Sequence, residues 1–395
     1  MARFQNALPL IGLALVASAC SSSDDDSSAG VTVEQQMDTA RTGYADLMFA
    51  MYSDVTDLAI DLQTAIDTFV ATPNAANFQA AKDAWLLARP FYQQTEVGRF
   101  YDGPIDDADG PEGEINAWPL DENYIDYVSG DPMGMPSGIV NDTAITIDEA
   151  TLRAANGVGG DANIATGWHA IEFLLWGQDF DVNGPGARPL SDYDGADNND
   201  DRRGAYLSLV AQLLVNDLTS VRDEWAPGTG TYRQTFTSEP VRTSIEKIMT
   251  GIATLGVGEL RGERILVPFN SQSQEDEHSC FSDTTDLDHT FDLVGIRNVW
   301  RGEYDAFDST YDFNGIGLDS VFQVGSPSLG TALGTAIDNA VTALEAQVTP
   351  FDQAILAANP AGRAALQNAI DVLSDYNVAI SAAASALNLT ITSSI

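Results

Sequence analysis

Apolar positions recur three and four residues apart over most of this chain, the period of a helix face, whereas the alternation of a half-buried strand is scarce. Bounded by the glycine, proline and acidic stretches that interrupt it, this period predicts helices over 33–71, 75–97, 146–155, 162–176, 202–225, 238–256, 289–307, 328–357 and 361–388. The last is the clearest. Asn359 stands at the cap position, Pro360 lies in the first turn, and Leu366, Ala369, Ile370, Leu373, Tyr376 and Ile380 follow at helical spacing. A helix-rich chain of this length predicts an all-α fold: two antiparallel helical-bundle halves, 33–195 and 196–395, joined by long loops, with a site at or near their interface. The divide is expected in the acidic loop around 191–201, and no internal repeat is visible.

The helix at 162–176 carries Gly167-Trp168-His169-Ala170-Ile171-Glu172, a GxHxxE pattern that sets one imidazole and one carboxylate on neighbouring positions of a helix surface. A nitrogen and an oxygen donor suit iron, manganese or zinc better than copper(I), which prefers sulfur. Two donors do not make a tight site. The plain structural alternative is a His–Glu pair that braces its own helix.

Charge narrows the partners. With 58 acidic against 18 basic residues and a net charge of −40, the chain is a poor ligand for nucleic acid or an anionic membrane surface, and cations are its natural partners. Lys82 and Lys247 are the two lysines, and so acidic a surface suits salty water. The same surplus makes any one carboxylate a solvated surface group by default.

Residues 1–19 have an export pattern: Arg3, an apolar stretch from Leu8 to Ala19, then Ala17-Ser18-Ala19-Cys20, too short to remain in a bilayer. Small residues before a cysteine resemble a bacterial lipobox, in which Cys20 becomes the lipidated first residue; Ala17 departs from the usual leucine. Residues 20–32 are then a lipid anchor and flexible tether, and its Ser21–Gly30 portion reaches about 15–20 Å. Ser21 does not resemble an inner-membrane retention signal, so the expected location is the outer membrane, facing periplasm or cell surface. With Cys20 lipidated, Cys280 has no disulfide partner.

A second constellation lies in and before the long loop at 101–141. The segment from Trp85 to Glu96, Gly103-Pro104-Ile105-Asp106, Trp118-Pro119-Leu120, the hexapeptide at 167–172, Gly177-Gln178-Asp179 running on to Gly184-Pro185-Gly186-Ala187-Arg188-Pro189, Ser279-Cys280-Phe281-Ser282-Asp283 and Trp300-Arg301-Gly302-Glu303-Tyr304 occur in this order. Together they resemble the imelysin-like family, helical bacterial envelope proteins described as insulin-cleaving membrane proteases or iron-regulated lipoproteins. The resemblance implies two bundle-like halves with the GxHxxE helix at the functional site. It points to Glu96 as a third metal ligand, in a matching block before a loop that can fold back. Asp126 is the fourth candidate beside His169 and Glu172, with Asp121 and Asp106 as substitutes.

Other signals are weaker. A zinc peptidase needs three protein ligands, an open water position and a base, but the residue after Glu172 is Phe173, which breaks the inverse HxxEH pattern, and no GxSxG is present. His278, Cys280 and His289 match no common zinc spacing and read as a structural loop. Asp179-Phe180-Asp181-Val182-Asn183-Gly184 opens like an EF-hand loop, but Leu190 stands where its bidentate glutamate belongs, so a structural turn is expected. Trp85, Trp118 and Trp168 read as core or interface anchors, with a wall of the site as the alternative. The resulting expectation is an exported, lipid-anchored protein that binds a divalent or trivalent transition metal, iron before zinc, for iron acquisition with an envelope transport partner. A zinc metallopeptidase and a structural or adhesion lipoprotein are the alternatives.

Overall fold

Thr32 starts the first long helix: its hydroxyl accepts from the Gln35 N–H at 3.2 Å while the Gln35 side chain accepts from the Thr32 N–H at 2.9 Å, a reciprocal cap. Helix α1, Val33–Ala71, buries Met37, Tyr44, Leu47, Met51, Val55, Leu58, Leu62, Ile66 and Phe69 on successive turns. Its neighbours are α2 (Ala75–Thr95), α4 (Asp200–Glu224), α5 (Val241–Ala253) and the short helix Asp319–Gly325. Because these surround it, α1 buries more than one face, and each fully buried leucine or isoleucine contributes about 1.5–3 kcal/mol relative to exposure. This computed structural model describes residues 30–129, 138–181, 183–195 and 199–393. The expected signal peptide, Cys20 and the tether up to 29 lie outside the described residues.

The rest is laid on this pair. Helix α3, Gly167–Trp176, packs on α2 and α4; α6, Thr285–Arg301, packs on α2; α7, Pro327–Glu345, joins α6 to α8, Pro360–Ala386. Strand structure among the described residues is one antiparallel pair, β1 (Glu303–Tyr304) and β2 (Phe313–Asn314). The all-α expectation holds. Helices on both sides of the expected divide at 195/196 share one apolar cluster that runs from Met37 to Leu389. A smaller cluster joins Phe351, Ala354 and Ile355 to Leu366. No helix among the described residues is long and apolar enough to cross a membrane.

Two predicted helices differ most in extent. The one expected at 238–256 continues from α5 through a π-helical stretch, Thr254–Leu266, into Val267–Ser271. The wider turn shifts the apolar positions away from the 3.6 period, so the pattern fades although the helix does not. The one expected at 328–357 stops at Glu345 and resumes as Phe351–Ile355. Pro350 has no N–H for a helix interior and biases Thr349 toward extended backbone.

Candidate functional site

The glycine of the hexapeptide has a steric reason. Gly167 opens α3 with φ +85°, and a Cβ there would be driven into the Ile115 carbonyl oxygen. This close approach seats α3 so deeply that all ten of its residues are buried. His169 and Glu172 therefore lie in the interior, with their side chains in contact: Nδ1 is 3.0 Å from Oε2. The other Glu172 oxygen accepts from the Ser282 N–H at 2.9 Å and from its hydroxyl at 2.7 Å.

Arg89 of α2 sits beyond the imidazole. Its Nη2 is 3.3 Å from His169 Nε2, 3.4 Å from His278 Nδ1 and 3.0 Å from Asp288 Oδ2; its Nε donates to Asp288 Oδ1 at 3.2 Å and Nη1 to Asn116 at 2.6 Å. Asp288 also takes the Ser279 hydroxyl at 2.6 Å and lies 2.7 Å from His278 Nδ1. One guanidinium thus occupies the place shared by two imidazoles and a carboxylate. His278 also lines a cleft of about 430 Å³ walled by Trp118, Arg99, Arg264, Glu112, Glu259 and Glu263. The Trp118 and His278 rings each lie 4.8 Å from that of His169.

Burial sets the charges. It drives Glu172 up to about 8 against the opposing Ser282 donors and Arg89, and it lowers His169 well below its ordinary value with help from Arg89 and His278. His278 falls to about 4 through burial and the Arg264 charge. Burial alone would raise Asp288, but Arg89 and His278 hold it well below the carboxylate range. With Glu172 ionised, a proton on Nδ1 donates to Oε2 and leaves Nε2 to accept from Arg89. With Glu172 protonated, its hydroxyl donates to Nδ1 and the ring proton moves to Nε2, against the guanidinium.

Of the four expected ligands, His169 and Glu172 stay together, and Glu96 and Asp126 are held elsewhere. Glu96 takes Arg264 at 2.7 Å, Arg99 at 2.6 Å and the Tyr92 hydroxyl at 2.7 Å, and the two guanidiniums outweigh burial and hold it well below the carboxylate range. Asp126 is bridged by Arg203 at 2.6 Å and Arg188 at 2.9 Å, which lower it in spite of burial. Asp121 caps Glu122–Ile125, and Asp106 accepts the Phe100 and Gly103 N–H groups. Among the described residues no three His, Cys, Asp or Glu side chains are gathered to hold a metal ion, which also leaves a three-ligand zinc set unformed. His289 turns away to Gln347 at 3.2 Å, and Cys280 is a buried free thiol. Spacing alone did not reveal Arg89, His278, Ser282 or Asp288; the ordered blocks at Trp85–Glu96 and 279–283 were the signal beside which they stand. Trp85 and Trp168 are core anchors, as expected, while Trp118 walls the cleft.

The sequence model of the imelysin family, peptidase M75, matches residues 48–379, a span that holds every side chain of this network. The chain is 25% identical over 271 residues to iron-regulated protein A of Synechococcus elongatus, covering 66% of this chain and 63% of that relative's length. Its fold is similar to that of a crystal structure described as an iron-regulated protein A precursor from Parabacteroides distasonis, with TM-score 0.71 and 19% identity over 91% of this chain and 97% of the other. An imelysin-like protein from Psychrobacter arcticum gives TM-score 0.63 at 14% identity, again over 91% and 97%. The cleft and the buried histidine pair lie inside the matched span, and the chain belongs to the imelysin family.

Proposed function

We propose that this protein is exported, anchored by lipid on Cys20, and captures iron as cargo where the acidic cleft reaches His278, with His169 and Glu172 buried behind it. What supports the iron reading is the name of the Synechococcus relative together with the chemistry of the pocket. The single observation that carries it is Arg89: a cation already held between two neutral imidazoles and the Asp288 carboxylate, with nitrogen and oxygen donors on one point. The arrangement is closed around the guanidinium, so capture is coupled to Arg89 leaving that point. The acidic residues of the cleft, Glu112, Glu259, Glu263, Glu275 and Asp276, raise the local concentration of a cation at its mouth. A transport partner in the envelope then receives the ion from a body tethered to the outer membrane.

Elemental analysis of the protein purified without added metal, followed by iron and zinc titration, tests this. Iron is expected at one equivalent, and His169→Ala or Glu172→Ala should weaken it at least tenfold. Unchanged stoichiometry and affinity in both variants would sink the site, and zinc bound in preference to iron would sink the cargo.

A further inference from the structure

The cleft at His278 has more room than a bare ion fills. It encloses about 430 Å³, whereas an ion with a first shell of about six waters, at about 30 Å³ each, takes about 180 Å³. Asn116 belongs to its wall and is 3% exposed. Arg89 can only donate, so the bond from its Nη1 at 2.6 Å sets the amide oxygen of Asn116 toward the guanidinium and turns Nδ2 away from it. That Nδ2 has no acceptor among the described residues, and neither has the Nε of Arg99, a second residue of the same wall. A buried donor without an acceptor costs about 1–3 kcal/mol. A bare cation does nothing for it, because an N–H group turns its positive end outward. Trp118, Pro119 and Val267 add apolar surface, with Val267 41% exposed, and this too is of no use to an ion alone. Around the cleft carboxylates outnumber guanidiniums five to two, which repels a polyanion.

We infer that the cleft receives its iron as an uncharged organic chelate of the hydroxamate class. This rests on the iron reading above and names the form in which the cargo arrives. Hydroxamate anions matched in number to the ferric charge give a complex with no net charge, which the acidic wall does not repel. Its outer oxygens are still acceptors, the group that Asn116 Nδ2 and Arg99 Nε lack. Its carbon groups lie against Trp118 and Val267, as in ligand pockets of this size, where apolar walls carry a few placed polar groups. A carboxylate-rich chelate such as citrate brings surplus negative charge and is disfavoured. Asn116 has a second part. The amide that meets the chelate is the one that holds Arg89, so filling of the cleft reaches the guanidinium between His169 and His278 through a single side chain.

Equilibrium dialysis of the full chain against ferric tris(acetohydroxamate), with iron and acetohydroxamate both measured, tests this beside anaerobic dialysis against ferrous sulfate without chelator. Iron and hydroxamate should be retained together. Asn116→Asp keeps an oxygen toward Arg89 and replaces the free donor with an acceptor, and it should weaken retention of the complex at least tenfold. Trp118→Leu should do the same by removing the apolar wall, and it covers the case in which the first variant misfolds. Iron retained without hydroxamate, ferric citrate held more tightly than the hydroxamate complex, or full-strength retention in either folded variant overturns the inference. If the complex is not retained but iron from the sulfate is, the chelate falls and the iron reading stands; if neither is retained, both fall.

Discussion

Glu172 carries the sharpest residue-scale consequence. An ordinary glutamate titrates at about 4.3, whereas burial lifts this one to about 8, so the folded protein holds a proton there that the unfolded chain has lost. The stability this contributes is fully present below the ordinary value and disappears as pH rises through about 8. Replacing Glu172 with Gln should therefore flatten the fall in stability over that window, read from denaturant unfolding across a pH series; an identical slope in the variant would show that Glu172 is ionised throughout. Gly167 makes a second test. Alanine there must adopt a left-handed φ and meet the Ile115 carbonyl, so Gly167→Ala should cost about 2 kcal/mol or more, seen as a lower urea midpoint. A midpoint within error of the parent would mean that α3 can shift away from Ile115.

At the scale of elements, helices are joined by arginine as much as by apolar packing. Arg264, on the π-helical stretch, ties Glu96 at the end of α2 to Asp292 on α6, and Arg203 of α4 ties Asp126. Removing one partner of a buried ion pair leaves the other charge uncompensated, at a cost of about 3–5 kcal/mol. Glu96→Gln and Asp126→Asn should thus lower thermal stability strongly while metal stoichiometry stays at the parent value. Loss of metal in a variant that still melts like the parent would instead return that residue to the ligand set. Arg89 is the counterpart inside the site: the bond it makes to Asp288 joins α2 to α6 and at the same time closes the space between the histidines.

Charge governs the molecule as a whole. The chain's net charge is −40, nearly all of it on one compact unit, Thr32–Ile395, which repels itself, and screening by salt relieves that repulsion. The midpoint of thermal unfolding should rise steadily as sodium chloride goes from low concentration to about 1 M, where the screening length falls to about 3 Å. A midpoint that is flat or falls with salt would mean that the internal arginine pairs, not surface repulsion, control the response.

Much of the architecture was legible in the residues themselves. The bounds of α1 and α8, the cap at Asn359, the motif helix and its glycine stop all follow from contacts within a few positions along the chain, and such contacts are written locally. The adjacency of His169 and Glu172 was readable for the same reason. The fate of Glu96 and Asp126 was not. Beyond the nearby Arg99, Glu96 meets Arg264 168 residues away and Asp126 meets Arg203 77 residues away, and with 58 acids for 18 bases a single sequence does not tell which carboxylates will meet a distant arginine. Tertiary packing made that choice, because burial forces each charge either to find an opposite one or to keep its proton.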